Sequence, residues 1–137
     1  MQKSARVSVI LPVLSETGRL VELVARLREL LGADLFEIQI IVSPKSPAEA
    51  LAACEEARGL FGNTHVSVQR RSPGVGFAYR DGIEEARVDL LLLMDTGAEF
   101  DVETLPLMLA KQHQPGADLV VGSRWMHGGI EGCPRRK

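Results

Sequence analysis

The sequence predicts an α/β fold, a mainly parallel sheet with helices covering both faces. Three observations carry that prediction. Short apolar runs and amphipathic stretches alternate along the chain in the order β-α-β-α-β-α-β-α-β. Alternation of this kind belongs to parallel strands joined by crossover helices. Leu90 to Met94 is an unbroken apolar run, short enough for a strand buried on both faces. Leu20 to Leu31 carries apolar residues at helical spacing. With 137 residues, the chain is long enough for one domain, 1–137, with its own core.

Each element has its own justification. Val7 to Leu11 is rich in β-branched residues and reads as a strand that Pro12 ends. Ser15 to Gly18 forms a loop. Leu20, Leu23, Val24, Leu27, Leu30 and Leu31 make one apolar helix face, with Arg19, Glu22, Arg26 and Glu29 on the wet side and Gly32 placed to cap the end. Phe36 to Val42 alternates and then turns fully apolar, as a second strand. Ser46-Pro47-Ala48-Glu49 reads as a capping box with proline at the first helical position. Its helix runs to about Arg58 and stops at Gly59. His65 to Gln69 is a short edge strand.

Arg70 to Gly76 is a loop with two arginines and two glycines, followed by a helix from about Phe77 to Arg87 that buries Ala78, Ile83 and Ala86. Leu90 to Met94 is the central strand. Asp101 caps a helix from Val102 to about Gln112, in which Pro106 removes one backbone bond and bends the axis. Pro115-Gly116 ends it. Asp118 to Val121 is a further buried strand, and the rest is tail.

Composition excludes several classes. The chain is 45% hydrophobic and 25% charged with net charge -2, so nothing global argues for nucleic acid. No apolar run approaches the roughly 18–20 residues that span a bilayer, and residues 1–14 do not read as a signal peptide. The expectation is a cytoplasmic protein, with any membrane association made through a partner. Cys54 and Cys133 are too few and too far apart for a disulfide framework or a metal site. No G-x-G-x-x-G follows the first strand and no P-loop motif occurs, which argues against dinucleotide and P-loop ATPase readings.

Asp95 stands at the carboxyl end of the Leu90–Met94 run, the edge at which open α/β sheets bind ligands. Asp-Thr-Gly would equally open a turn. The glycines at 74 and 76 serve a turn, or let backbone approach an anion at a helix start.

Five stretches, in order, resemble the family 2 glycosyltransferases, and within them the dolichyl- or polyprenyl-phosphate sugar transferases. They are V-S-V-I-L-P-V-L-S-E (7–16), I-I-V-S-P-K-S-P (40–47), G-V-G-F-A-Y-R-D-G-I-E-E-A-R (74–87), L-L-L-M-D-T-G-A-E-F-D-V-E-T-L-P (91–106) and G-A-D-L-V-V-G-S-R-W-M-H-G-G-I-E-G (116–132). The resemblance implies a GT-A domain, a Rossmann-like three-layer α/β/α fold that binds a nucleotide-diphosphate sugar. It also implies hexosyl transfer to a lipid-phosphate acceptor, and a divalent cation, Mg²⁺ or Mn²⁺, on the departing diphosphate.

The same resemblance assigns residues. The family's Asp-x-Asp falls on Asp95 and Gly97, so one carboxylate is missing, and Glu99 is the second metal candidate. Pro12, Leu14, Glu16, Ser43, Gly74, Gly76 and Asp95 fall at nucleotide-binding positions. Ser43 and Pro44 stand where the family usually carries Asp. Ser123 and Arg124 match the Gly-Ser-Arg that faces the acceptor phosphate, a task suited to the planar arginine fork. Asp95 and Arg124 are therefore the catalytic candidates. Arg124 also reads as a strand-end arginine paired with a carboxylate, and Glu16 as a solvated loop residue. Relatives continue beyond Gly132, so the domain is expected to be short on its C-terminal side. A catalytically weakened or inactive binding module is the alternative to a transferase, and a natural short form or fragment is a third. An unfinished sheet edge would favour a homo-oligomer.

Overall fold

The computed structural model describes residues 6–14, 18–70, 74–96 and 101–122. The chain divides into two compact units, Met1–Phe100 and Asp101–Lys137.

The first unit holds a four-stranded, all-parallel sheet of order β3-β2-β1-β4, built from β1 (Val7–Val13), β2 (Leu35–Val42), β3 (Thr64–Val68) and β4 (Leu90–Leu93). Helices α1 (Leu20–Leu31), α2 (Ala48–Leu60) and α3 (Val75–Glu85) connect them. The chain steps from β1 to β2 to β3 in one direction and then returns past β1 to β4. Crossovers between parallel strands are right-handed, so reversing direction requires the opposite face. Accordingly α1 and α2 pack on each other, while α3 lies against β1 and β2. The expected α/β class with a mainly parallel sheet is observed.

Most of the core sits on β1 and β2. Val9, Ile10, Leu11, Ile38, Ile40 and Ile41 are buried in it, as are Leu20, Val24 and Leu27 of α1, Ala50, Cys54 and Ala57 of α2, and Ala78 of α3. Gly82 lets α3 approach β1 closely: a Cβ there would overlap the Ile10 Cγ2 methyl. The α1 helix ends at Gly32 with φ 50°, in the left-handed region expected of a terminal glycine.

Several expectations are corrected. β1 continues through Pro12 to Val13. Ser43 N donates to Val13 O on the β2 side, and Met94 N donates to Ile10 O on the β4 side. Groups of even-numbered β1 residues thus face β4, and Pro12 lies beyond the last β4 pair, Ile10 with Leu93. Its missing N–H breaks no ladder bond. There is no capping box on α2, whose N-cap Pro47 has no side-chain partner. The Ser46 hydroxyl instead donates to Leu14 O at 2.7 Å and Val13 O at 3.3 Å. α2 also runs through Gly59 to Leu60.

α3 begins at Val75 and buries Ala78, Asp81 and Gly82, leaving Ile83 exposed. Among the described residues β4 is an edge strand rather than a central one, with residues only half-buried up to an exposed Leu93.

Taken by itself, the second unit contains a short 3-10 turn, Val102–Thr104, and α4, Leu105–Gln112. Asp101 Oδ1 accepts from Glu103 N at 3.0 Å, as a cap should. Because the turn precedes α4, Pro106 falls in the first helical turn, where its missing N–H is harmless. The expected strand Asp118–Val121 is not formed: Leu119 is 80% exposed and Val121 71%. An isolated strand leaves its backbone groups without a ladder, so apolar character alone does not make one.

Candidate functional site

Strand order fixes where a ligand is best received. The chain leaves β1 for β2 on one side and returns to β4 on the other, so the carboxyl ends of β1 and β4 border the topological switch point. Leu14 follows β1 at this edge and Asp95 follows β4 by two residues. Both are exposed, Leu14 at 56%.

The end of β2 is fastened to the end of β1. Besides the two Ser46 bonds, Ser43 N donates to Val13 O at 3.1 Å. The half-buried Ser43 hydroxyl accepts from Lys45 N at 3.2 Å. That turn brings the exposed Lys45 to the same edge.

Beyond β3, Gln69 N donates to Val42 O at 2.8 Å, and Gln69 Nε2 donates to Gly74 O at 3.2 Å. Arg70 N donates to Asp81 Oδ2 at 2.7 Å, and the Arg70 guanidinium lies 2.9 Å from Glu85. Gly74 opens α3 at φ 130°, a conformation that L side chains rarely adopt. Gly76 sits in the first turn with open space around its Cα. First-turn amides of a helix lack intrahelical acceptors, so this end of α3 offers donors at the same sheet edge as Asp95.

Tyr79 of α3 faces Asp95 electrostatically. Partial burial, and then the Asp95 carboxylate, push its phenol above the ordinary tyrosine range.

The structure thus gathers Pro12, Leu14, Ser43, Gly74, Gly76 and Asp95 at one edge of the sheet. Pro12 is buried, so its side chain supports the edge rather than contacting a ligand. Glu16, Glu99, Ser123 and Arg124 lie outside the described residues.

Comparison with known proteins decides the family. The Glycosyl transferase family 2 profile matches residues 8–135. The chain belongs to this family. Dolichol-phosphate mannosyltransferase of Pyrococcus furiosus is 32% identical over 132 residues, covering 94% of this chain and 36% of that protein. Low-salt glycan biosynthesis hexosyltransferase Agl6 of Haloferax volcanii is 25% identical over 117 residues, covering 85% of this chain and 27% of that protein. A mycobacterial protein of known structure superposes with TM-score 0.59 at 18% identity, over 78% of this chain and 36% of that one. That likeness concerns the fold alone. The chain therefore spans about a third of the length of the relatives it matches.

Within this family 2 domain, sequence reasoning missed Tyr79, Asp81 and the pair Gln69–Arg70. A signal for Asp81 existed, since it falls three residues after Ala78 on the inward side of the helix. Tyr79 carried a weaker signal, as the chain's one tyrosine, four residues into a helix that starts at the site. No group of three or more His, Cys, Asp or Glu suited to a metal ion occurs among the described residues, and no helix among them is long and apolar enough to cross a membrane.

Proposed function

We propose that this edge of the sheet binds a nucleotide-diphosphate sugar, as the donor site of a hexosyl transfer to a polyprenyl-phosphate or similar lipid-phosphate acceptor. One observation carries the reading: in a chain matched to glycosyl transferase family 2 from residue 8 to 135, Asp95 lies two residues beyond the strand that borders the switch point. The base and ribose would lie over the Leu14–Ser43 edge, with the diphosphate between Asp95 and the start of α3. Glu16 would join the nucleotide side. Ser123 and Arg124 would meet the acceptor phosphate.

A divalent cation fits the donor set as a shared ligand. Mg²⁺ commonly takes one or two protein carboxylates and completes its octahedron with water and substrate phosphate oxygens. Asp95, with Glu99 as the second candidate, suits a Mg²⁺ or Mn²⁺ that arrives with the diphosphate. Such an ion neutralises charge on the departing diphosphate.

A second reading, a binding module without transfer activity, is favoured by Gly97 and by the Ser43–Lys45 turn. Gly97 has no ligand atom in its side chain, and the turn offers no carboxylate to the nucleotide. Titration calorimetry with UDP- and GDP-sugars, with and without Mn²⁺ or Mg²⁺, tests both readings. Metal-dependent binding abolished by Asp95→Ala is the expected result for a donor site, and product formation from a polyprenyl phosphate then distinguishes transferase from binder. Absence of binding to a folded protein refutes the donor site itself.

A further inference from the structure

Asp81 is a carboxylate in the wrong place for packing alone. It stands on the sheet-facing side of α3, between Ala78 and Gly82, and is 2% exposed. An alanine or leucine would fill an inward helix position without the cost of desolvating a charge. The carboxylate instead reaches out of the helix: its Oδ2 accepts from Arg70 N at 2.7 Å, across eleven residues of sequence.

That bond is one of a set that fastens the residues flanking the β3–α3 connection, Gln69 and Arg70 before it and Gly74 after it. Gln69 N is tied to Val42 O at 2.8 Å, and Gln69 Nε2 spans from there to Gly74 O at 3.2 Å. The Arg70 guanidinium is drawn down onto α3, 2.9 Å from Glu85 and 3.8 Å from Glu84. Gln69 is itself buried. Both flanks of the connection are thus fastened by buried side chains: Arg70 by Asp81, and Gly74 by Gln69. Gly74 is also the residue whose positive φ starts the helix.

We propose that Asp81 is a positioning residue, whose buried carboxylate ties α3 to Arg70 just beyond β3 so that the first-turn amides of that helix are fixed for a nucleotide diphosphate. The inference rests on the donor-site reading of this edge. Asp81 itself does not touch the ligand. It lies nearly two turns into α3 and acts through its bond to Arg70, while Gln69 holds Gly74 on the other flank. A fixed array of donors binds an anion better than one that must be ordered on binding, because the ordering cost is already met in the free protein.

The consequence is selective. Losing the Asp81 bond should weaken recognition of the phosphates and leave recognition of the nucleoside alone. Calorimetric titration of uridine, guanosine, UDP and GDP, with Mn²⁺, gives the affinity gained from the diphosphate as a ratio of dissociation constants. In Asp81→Ala that ratio should fall about tenfold, the scale of one hydrogen bond to a charged group, with nucleoside affinity unchanged. Asp81→Asn retains an oxygen that can accept from Arg70 N and should keep most of the ratio. Gln69→Ala, which frees the other flank and leaves Asp81 in place, should show the same selective loss, and it decides the matter if Asp81→Ala does not fold.

An unchanged ratio in Asp81→Ala, or equal weakening of nucleoside and diphosphate, overturns the inference while the donor site stands. A folded wild-type protein that gains nothing from the diphosphate overturns both, before any variant is made.

Discussion

Gly82→Ala is a test in which two ordinary rules predict opposite signs. In an exposed helix interior, alanine is better than glycine by about 0.8–1.0 kcal/mol. Gly82 is not in such a setting. A Cβ there would overlap the Ile10 Cγ2 methyl and would stand 3.4 Å from Ile41 Cγ1 and 3.5 Å from Ile10 Cβ. Ile10 and Ile41 are fully buried in adjacent central strands. They are β-branched and stiff, so neither can turn aside cheaply. The helix must therefore lift from the sheet. Overpacking of this kind costs about 1–3 kcal/mol. With the propensity gain set against it, the net is a loss of up to about 2 kcal/mol, which for a domain of this size lowers Tm by up to about 10 °C. Thermal unfolding followed by circular dichroism measures it. In an Ile10→Ala background the overlapping methyl is gone, and Gly82→Ala should be neutral or stabilising relative to that background. A single Gly82→Ala variant that melts higher than wild type would refute the close approach of α3 to β1.

Two further outcomes follow from buried or paired groups. Tyr79 is the chain's one tyrosine, so phenolate absorbance reports it alone. Its folded pKa is raised above 10.0, first by burial and then by Asp95, so Asp95→Asn should lower the titration midpoint without returning it fully to 10.0. Because the folded pKa is the higher one, the stability this group contributes is complete below the unfolded value and is lost as pH rises through the folded value. An Asp95→Asn midpoint equal to wild type would refute the electrostatic influence of Asp95 on Tyr79. Glu37 is fully buried, accepting from Ser8 Oγ and Arg87 N at 2.7 Å each and from Gln39 Nε2 at 3.2 Å. Glu37→Ala strands these donors and should cost about 2–4 kcal/mol, with Glu37→Gln milder. The midpoint of urea unfolding checks the order, and a Glu37→Ala protein as stable as wild type would refute it.

Much of the fold was legible because periodicity and burial coincide. The apolar face of α1 was readable residue by residue, and Gly32 ends that helix as its type suggests. The parallel sheet followed from alternation. Errors arose where a side chain had a partner far away in sequence. Ser46 looks like a helix cap in its local context, yet its hydroxyl serves carbonyls more than thirty residues earlier. Asp118 to Val121 has strand composition, but pairing rather than composition makes a strand. Pro12 was read as a terminator because the rule concerns a lost donor, and only the register shows that the donor would have faced past the end of β4. At the site, Asp95 was legible from its place after an apolar run. Asp81 and Tyr79 were not, because Asp81 matters through its hydrogen bond to Arg70 and Tyr79 through the electrostatic influence of Asp95, both outside α3.

These contacts make α3 the element on which the candidate site depends. Its first residues border the sheet edge, Tyr79 answers to Asp95, Asp81 holds Arg70, and its far end is anchored at Arg87 N by Glu37. Glu37 lies near the opposite end of the strands, paired with Ser8 at the start of β1. Two buried carboxylates thus seat one helix, one at each end of the sheet, while Gly82 lets it lie flush between them. A surface helix needing only to cover the core would be seated by apolar contact alone. Buried hydrogen-bonded charge is directional and permits fewer alternative placements. A diphosphate site requires such placement, because backbone donors misplaced by an ångström lose much of their effect. The same requirement holds for a transferase and for a binder, so the seating of α3 bears on the donor site and leaves the choice between those two readings to the acceptor assay.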